Sequence, residues 1–313
     1  MTERASRRAP APIVTVVIPT HGRTAALDAC LGALSAQRLG TDRFDVVVVD
    51  DGGPEALDCV IDRHRPVLHV ALHRQRRSGP AVARNAGAAR ARGTLLAFTD
   101  DDCLPGSGWL EAMVAAVARS PDSIIGGRTI NALAANPYAE ASQALLAYLN
   151  SEGRRRGGQL PFVSSNNLAV ARSTFEALGG FDDSFRRAGG EDRDLCERGR
   201  ALGRPLVYER AAVVRHAHSM GLHGFLQQHF EYGRGARRLH EARVRRDGPP
   251  LRMQPPGFYA SMLREPFRRL PARRAVPAAA LIALSQGSTA AGFLTESIRE
   301  RALPAGEVGL PAG

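Results

Sequence analysis

The sequence predicts an α/β protein built around a mainly parallel central sheet flanked by helices. Short runs of apolar, often β-branched residues recur along the N-terminal third, and each is followed by a segment with helical periodicity. The runs do not alternate with polar residues, which is typical of strands covered on both faces of a parallel sheet. Acidic residues directly follow two of the runs, at the end of the strand where such sheets bind ligands.

The predicted elements alternate in order along the first 120 residues. The predicted strands are residues 13–19, 44–49, 67–72 and 95–99. The predicted helices are residues 24–37, 54–63, 79–92 and 107–120. Thr24 is the expected N-cap of the first helix, because its hydroxyl can accept a hydrogen bond from a free backbone N–H.

The pattern is less regular beyond residue 124. A late strand is predicted at 206–215, a helix at 221–241 and a break at 249–256. We therefore divide the chain into a disordered tail at 1–12, an α/β domain at 13–245 and a partly helical C-terminal extension at 246–313.

The apolar part of the extension, residues 275–294, is rich in alanine and contains Pro277, Gly287 and Gly292. A spanning helix needs about 20 strongly apolar residues. The composition therefore favours a helix that packs on the domain or lies peripherally at a membrane interface. The arginines beside it are Arg264, Arg268, Arg269, Arg273 and Arg274.

Composition excludes several classes of function. The net charge is +11, but the chain contains no lysine and is rich in alanine and glycine, which indicates codon bias more than a dedicated anionic partner. Aromatic residues are not grouped with arginines as a stacking platform requires, so no nucleic-acid partner is expected. The four cysteines are scattered and the N-terminus has no apolar leader, so we expect free thiols and a cytoplasmic location.

Two acidic clusters follow predicted strands. Asp100 and Asp102, in an Asp-x-Asp arrangement, can turn toward one divalent cation that also bridges diphosphate oxygens. Asp51 can accept a hydrogen bond from the ring N–H of uracil, thymine or guanine, or it can simply be a turn residue before Gly52. A third acidic pair, Glu191-Asp192, begins a predicted helix, where acidic residues also complement the helix dipole.

The order of these motifs resembles that of family 2 glycosyltransferases, inverting enzymes of the GT-A fold that use nucleotide-diphospho-sugars. The matching segments are Val17-Ile18-Pro19-Thr20 with Arg23, Val48-Val49-Asp50-Asp51-Gly52, Gly79-Pro80-Ala81-Val82-Ala83-Arg84-Asn85-Ala86-Gly87, Phe98-Thr99-Asp100-Asp101-Asp102, Gly179-Gly180-Phe181-Asp182, and Glu191-Asp192 with Leu195 and Arg198. The resemblance spans roughly residues 13–218. It implies a GT-A fold, here with a helical C-terminal extension.

The resemblance also implies roles for the matched positions. Those expected to bind the nucleotide are Pro19, Thr20, Arg23, Asp51, Arg84 and Asp100. Asp100 and Asp102 would bind Mn²⁺ or Mg²⁺, with Asp102 favoured as the direct ligand. Asp192 would be the general base that deprotonates the acceptor hydroxyl, and Glu191 is its competitor.

Four further residues have weaker assignments. Either His216 or His218 is expected to reach the metal, and His216 is favoured because it lies nearer the end of the late strand. Asp182 is expected in a turn or in an acceptor pocket. Trp109 is expected in the core, with stacking on an acceptor sugar as the alternative.

The sequence therefore predicts a glycosyltransferase that moves a sugar from a UDP-, dTDP- or GDP-linked donor to an acceptor hydroxyl. The expected acceptor is a surface polysaccharide, a lipid-linked sugar or a small glycoside, reached in the cytoplasm or at the inner face of the cell membrane. One alternative is a non-catalytic scaffold that binds nucleotide-sugars. A sugar nucleotidyltransferase is the other, although its lysine-containing phosphate loop has no counterpart here.

Overall fold

The computed structural model describes residues 11–157 and 160–302. Its strands are β1 (Val14–Thr20), β2 (Phe44–Asp50), β3 (Val70–Arg74), β4 (Leu95–Thr99), β5 (Cys103–Pro105), β6 (Ile124–Asn131), β7 (Asn167–Ala171) and β8 (Leu206–His216). They form one sheet in the order β3-β2-β1-β4-β7-β6-β8-β5. Most of the predicted tail, residues 1–10, and the last part of the extension, residues 303–313, lie outside the described residues.

Ten helices surround this sheet in the described part of the chain. They are α1 (Thr24–Ser35), α2 (Asp58–His64), α3 (Pro80–Ala89), α4 (Trp109–Arg119), α5 (Pro137–Gly157), α6 (Arg172–Ala177), α7 (Glu191–Ala201), α8 (Leu222–Arg245), α9 (Pro256–Arg269) and α10 (Ala272–Ala302). The expected cap at Thr24 is wrong: α1 begins at Thr24, Arg23 is the N-cap, and no side chain caps the helix.

The strand directions confirm the predicted mainly parallel α/β sheet. β1 pairs in parallel with β2 and β4, β2 pairs in parallel with β3, and β6 pairs in parallel with β8. β7 is antiparallel to both β4 and β6 and joins the two parallel parts. Because β1, β2 and β4 run the same way, Thr20, Asp50 and Thr99 end at one edge of the sheet.

Apolar residues cover both faces of this sheet, as the continuous apolar strands predict. Every residue of β2 is buried. One core cluster joins the sheet to α1, α2 and α4, and a second joins its other face to α6, α7 and the end of α8. These two apolar cores, one on each face, therefore hold the carboxyl edge of the sheet in place.

The C-terminal extension packs on the domain through a third core. Its buried members are Ala141, Ala144, Tyr148, Phe225, Met262 and Ile282, which come from α5, α8, α9 and α10. Where α10 crosses α8, the backbones touch: a Cβ on Gly233 would lie 1.9 Å from the Thr289 carbonyl oxygen. The sequence expectation of a helix packed on the domain is therefore met by one face of α10.

Candidate functional site

The three aspartates after β4 have three different sets of partners. Asp100 accepts a hydrogen bond from Arg84 Nη2 at 2.7 Å. Asp101 is fully buried and accepts hydrogen bonds from Thr20 Oγ1 at 2.6 Å and from the Arg23 guanidinium. Asp102 lies against two histidines. The run of three acids is thus divided among distinct positions at the carboxyl edge of the sheet.

Asp102, His216 and His218 form a compact cluster of potential metal ligands. His218 Nδ1 lies 2.8 Å from Asp102 Oδ2, and His216 Nε2 lies 3.2 Å from Oδ1. One ligand atom from each residue lies within 4.8 Å of the others. The pairing of β5 with β8 brings these residues together, because Cys103, next to Asp102, stands opposite His216 in the ladder.

Electrostatics favour the ionised form of Asp102. Burial of Asp102 acts to raise its pKa, but hydrogen bonds from His216 and His218 and the charge of Arg23 outweigh burial and hold the pKa well below its ordinary value. Burial acts to lower the pKa of His216, and Asp102 raises it overall. Asp101 differs: burial raises its pKa to about 6, against the opposing effect of Arg23.

The donor set fits a divalent cation. One carboxylate and two imidazoles suit Mn²⁺ better than Mg²⁺, which prefers oxygen ligands. Arg23 Nη1 donates to Asp102 Oδ2 at 2.9 Å and would compete with a cation for that oxygen. The Arg23 side chain is 47% exposed, and its guanidinium also donates to Asp101.

Two of the predicted metal-site residues have positions that differ from the expectation. Asp100 pairs with Arg84 and lies outside the cluster, whereas His218 joins it. The expectation that only one of the two histidines faces the site is wrong. Side chains two residues apart on extended backbone point to the same face, and both His216, the last residue of β8, and His218 lie beside Asp102.

Arg84 connects the aspartates after β4 with the start of α7. It is 4% exposed and donates from Nη1 to Glu191 Oε1 at 3.1 Å, besides its bond to Asp100. Burial acts to lower the pKa of the guanidinium, but Asp100 and Glu191 raise it overall. Nε has no hydrogen-bond partner among the described residues. A fixed positive charge therefore stands between two acidic positions.

Asp192 lies in the first turn of α7, where the chain leaves a tight glycine turn. Gly189 and Gly190 have φ of 120° and 101°, a region that side chains disfavour, and Gly190 passes close to the backbone of Gly235 in α8. Asp192 Oδ1 accepts a hydrogen bond from the Arg193 N–H at 2.8 Å. Burial raises the pKa of Asp192 despite the nearby charges of Arg193 and Arg84.

Glu191 and Asp192 differ in their availability. The Glu191 carboxylate is buried, with one oxygen on Arg84 and the other accepting the Gly189 N–H at 2.8 Å. Asp192 is only half-buried. Of the two acids, Asp192 is the more exposed.

The expected nucleotide-binding residues all lie near the carboxyl edge, and several have internal partners. Asp51 Oδ1 accepts hydrogen bonds from Gln75 Nε2 at 2.8 Å and from the Ser78 N–H at 2.7 Å, while Oδ2 accepts the Gly79 N–H at 2.8 Å. Asp51 therefore shapes the loop that leads into α3. The Thr20 hydroxyl is bonded to Asp101, and Pro19 is half-buried in β1.

Trp109 and Asp182, the two candidates for the acceptor side of the site, both have partners within the protein. Trp109 is fully buried, and its Nε1 donates to Asn167 Oδ1 at 2.8 Å. It is therefore a core residue, as expected, and its ring is not exposed for stacking on an acceptor sugar. Asp182 accepts the Ser184 N–H at 2.9 Å, which is the expected turn. Its other oxygen faces Arg246 Nη2 at 3.5 Å.

Sequence reasoning missed Asp101 and Tyr232. Asp101 is the middle residue of the Asp-x-Asp motif, and the sequence predicted no role for it. Its buried carboxylate accepts hydrogen bonds from Thr20 and Arg23 and so holds the turn after β4. The Tyr232 ring lies beside Gly189, in the turn that leads into α7. No local pattern in α8 singles out this tyrosine.

Comparison with known proteins identifies the family of this chain. The family model described as glycosyl transferase family 2 matches residues 15–179. Validoxylamine A glucosyltransferase from Streptomyces hygroscopicus subsp. jinggangensis is 30% identical over 64% of this chain and 54% of its own length. Pre-mycofactocin glycosyltransferase from Mycobacterium tuberculosis is 31% identical over 71% of this chain and 46% of its own length. The chain thus spans about half the length of these relatives.

Solved structures share the fold. Mannosyltransferase PcManGT from Pyrobaculum calidifontis, in complex with GDP-Man and Mn2+, superposes with a TM-score of 0.61 at 20% identity, covering 94% of this chain and 81% of its own. S. aureus TarS 1-349 in complex with UDP-GlcNAc gives 0.53 at 15% identity, covering 92% of each chain. The family match and the GT-A-like sheet agree, and the chain belongs to glycosyl transferase family 2.

Proposed function

We propose that the protein transfers a sugar from a nucleotide-diphospho-sugar to an acceptor hydroxyl, with inversion at the anomeric carbon. The observation that carries the proposal is the arrangement around Arg84. This buried cation joins Asp100, next to the Asp102 cluster, to Glu191, next to Asp192. A group that can bind a cation and a group that can accept a proton thus belong to one connected site.

Asp192 is proposed as the general base. A single in-line displacement needs a base on the face of the sugar opposite the departing diphosphate. Asp192 is half-buried, whereas Glu191 is held on both oxygens, which supports Asp192 for this step. A pKa raised by burial makes its carboxylate a better proton acceptor than an exposed aspartate.

A divalent cation is proposed at Asp102, His216 and His218. When bound, Mn²⁺ would supply positive charge to the diphosphate leaving group. Arg84 and Arg23 add permanent positive charge on the same edge of the sheet, and they help hold an anionic donor. The Mn2+ in the structure of the mannosyltransferase with the same fold is consistent with this assignment.

Asp51 is proposed to select donors whose base presents a ring N–H, namely UDP-, dTDP- or GDP-sugars. A carboxylate has about four acceptor positions, and Asp51 uses three of them on Gln75, Ser78 and Gly79. One position is left for a base. The two structures of similar fold are complexes with GDP-Man and with UDP-GlcNAc, so both base classes stay within the proposal.

The acceptor is proposed to enter a polar cavity between α5 and β6. This cavity has a volume of about 320 Å³ and is lined by polar side chains that include Asn131, Glu140, Gln143 and Ser164. The neighbouring Ser165 N–H faces the Asp192 carboxylate. Such a lining suits the hydroxyls of a sugar, as part of a polysaccharide, a lipid-linked sugar or a small glycoside.

Titration calorimetry of UDP, dTDP, GDP and ADP, each with and without Mn²⁺, tests the donor site. Selective, metal-dependent binding of one of the first three supports the proposal. The matching nucleotide-sugar is then tested for slow hydrolysis, in which water replaces the acceptor. Binding without hydrolysis or transfer to any glycan would favour the non-catalytic scaffold, and absence of binding by a folded sample would contradict the proposed site.

A further inference from the structure

An apolar stripe runs along the outer face of α10. We define the α10 stripe as Val276, Ala280, Leu284, Gly287, Ala291, Leu294 and Ile298, all of which are exposed. At about 100° per residue they fall within an arc of about 80°. The larger members are strongly exposed: Val276 is 58%, Leu284 53%, Leu294 61% and Ile298 68% exposed. Single exposed apolar residues are normal, but a continuous stripe indicates a binding surface.

The opposite face of α10 packs against the rest of the protein. Ala275, Ala278, Ile282 and Ser285 are buried there. Glu296 accepts hydrogen bonds from Arg234 Nε at 2.5 Å and Arg238 Nη2 at 2.7 Å, and both arginines belong to α8. The α10 stripe is therefore the outward side of a helix that is already docked.

The exposed charges described beside the start of the α10 stripe are positive, and the carboxylate among them, Glu265, is buried and pairs with Arg268 and Arg269. No charged residue lies between Arg274 and Glu296 in the sequence, and Glu296 points to α8. Arg273 falls within the same arc as the stripe, one turn before Val276. The 52% exposed Phe267 lies near the end of α9. The exposed arginines of α9 and of the start of α10 include Arg264, Arg268, Arg273 and Arg274.

We propose that the α10 stripe and these four arginines bind an anionic lipid surface, with α10 lying in the plane of the interface. Apolar side chains would enter the boundary between headgroups and acyl chains, and the guanidinium groups would contact lipid phosphates. The anionic leaflet that faces the cytoplasm has this chemistry. None of these residues has a role in the proposed reaction, so the proposal does not depend on that reaction.

A membrane-spanning arrangement fits the contacts less well. The helix Ala272–Arg299 is long and apolar enough to cross a membrane by length and composition: its apolar 18-residue window has a mean hydropathy of 1.2 and is 22% buried. Spanning would pull Glu296 from Arg234 and Arg238 and would leave these charges unpaired, which is costly in hydrocarbon. Lying at the interface keeps those contacts and buries the stripe.

A second copy of the chain is also a weaker candidate for this face. Among the side chains of α10 that the structure describes, the one carboxylate is Glu296, which is buried. Two stripes paired in parallel would bring the arginine ends together. An antiparallel pair would leave each arginine end without a carboxylate from the partner stripe. A lipid surface supplies the missing negative charge.

Vesicle co-sedimentation of the full chain tests the proposal without any turnover. The two probes are vesicles of phosphatidylcholine alone and vesicles of equal parts phosphatidylcholine and phosphatidylglycerol. We expect pelleting with the mixed vesicles and release at high salt, because screening weakens charge attraction. The double variant Arg273→Ser/Arg274→Ser should bind on the order of thirtyfold more weakly, from the typical contribution of each arginine near an anionic surface.

The stripe itself is tested by Leu284→Asp/Leu294→Asp, which should abolish pelleting. The matched control is Leu202→Asp, since Leu202 is 60% exposed at the end of α7, outside the stripe, and should not matter. Thermal unfolding confirms that each variant is folded. Failure of the wild type to pellet, or equal pelleting of the stripe variant and wild type, would overturn the proposal. Self-association in light scattering that only the stripe variant loses, without lipid binding, would instead identify a second copy as the occupant.

Discussion

Glu191 and Arg84 form a buried ion pair, with Nη1 3.1 Å from Oε1, that joins the start of α7 to α3. The Gly189 N–H engages the other oxygen of Glu191. This arrangement separates the two adjacent acids of α7 by role: Glu191 holds the turn, and Asp192 remains accessible. A motif that looks like two equivalent carboxylates therefore contains one structural acid and one candidate base.

The first prediction concerns this division. Asp192→Asn should lower turnover by about 10²–10⁴-fold, the usual range for removal of a general base, while nucleotide binding stays unchanged. Steady-state rates and calorimetry measure the two effects. The comparison variant is Asp183→Asn, which alters an acid on the exposed turn after Phe181 and should retain activity. Normal turnover by Asp192→Asn would exclude this residue as the base.

Removal of either histidine should weaken the metal site. His216→Ala and His218→Ala should each reduce Mn²⁺-dependent nucleotide affinity by about 10–100-fold, the magnitude typical of losing support at a metal site. The control is His223→Ala, since His223 is exposed on α8. Calorimetry with and without Mn²⁺ separates metal-dependent from metal-independent binding. If only His216→Ala has an effect, His218 is not a ligand.

Arg84→Gln should destabilise the fold as well as weaken donor binding. It removes the partner of the buried Glu191 and of Asp100, and breaking a buried ion pair costs about 3–5 kcal/mol. Urea unfolding at neutral pH measures the loss. Arg90→Gln is the matched control, because Arg90 is exposed just after α3. Equal unfolding midpoints for the two variants would show that the Arg84 pairs contribute little.

The crossing of α8 and α10 should tolerate no side chain at Gly233. In Gly233→Ala the new Cβ would meet the Thr289 carbonyl oxygen at 1.9 Å, so the helices must separate and the unfolding temperature should fall. Gly287 lies on the open face of α10, where an added Cβ would have nothing within 4 Å. Gly287→Ala should raise the free energy of unfolding by up to about 1 kcal/mol, because alanine is the better helix former. Differential scanning calorimetry of both variants measures the two changes in unfolding temperature.

Stability should fall in mild acid because of His229. The ring is 3% exposed, Nε2 lacks a hydrogen-bond partner among the described residues, and burial lowers the pKa to about 4. In the unfolded state the pKa of this imidazole is near 6.5, so the unfolded state binds the proton more readily than the folded state does. The free energy of unfolding is therefore unaffected by this group above about pH 6.5 and falls progressively toward pH 4. The full loss is roughly 3 kcal/mol.

Urea unfolding of the wild type and His229→Gln between pH 7 and pH 4.5 measures this contribution. The variant should lose less stability than the wild type as the pH falls, because glutamine does not titrate. Parallel pH profiles for the two proteins would show that His229 is not responsible for the acid sensitivity. His240, which accepts a hydrogen bond from the Leu251 N–H through Nδ1, offers a control position in the same helix.

The sequence by itself determined the parallel strands and the family. Continuous apolar runs report burial on both faces, and this property is local, so the strand at residues 95–99 was predicted with its observed bounds. The placement of Asp51, Asp100 and Asp102 at one edge also followed, because parallel strands end together. Motif order then identified the family.

Only the tertiary structure decided which partner each acid has. Glu191 meets Arg84 from 107 residues away, and Asp102 meets His218 from 116 residues away. No local pattern encodes such pairs, because they depend on how β5 lies on β8 and on how α7 begins. The same holds for α10: its sequence showed an apolar helix, but only packing on α8 decided which face is buried and which remains exposed. Burial is a property of the assembled chain.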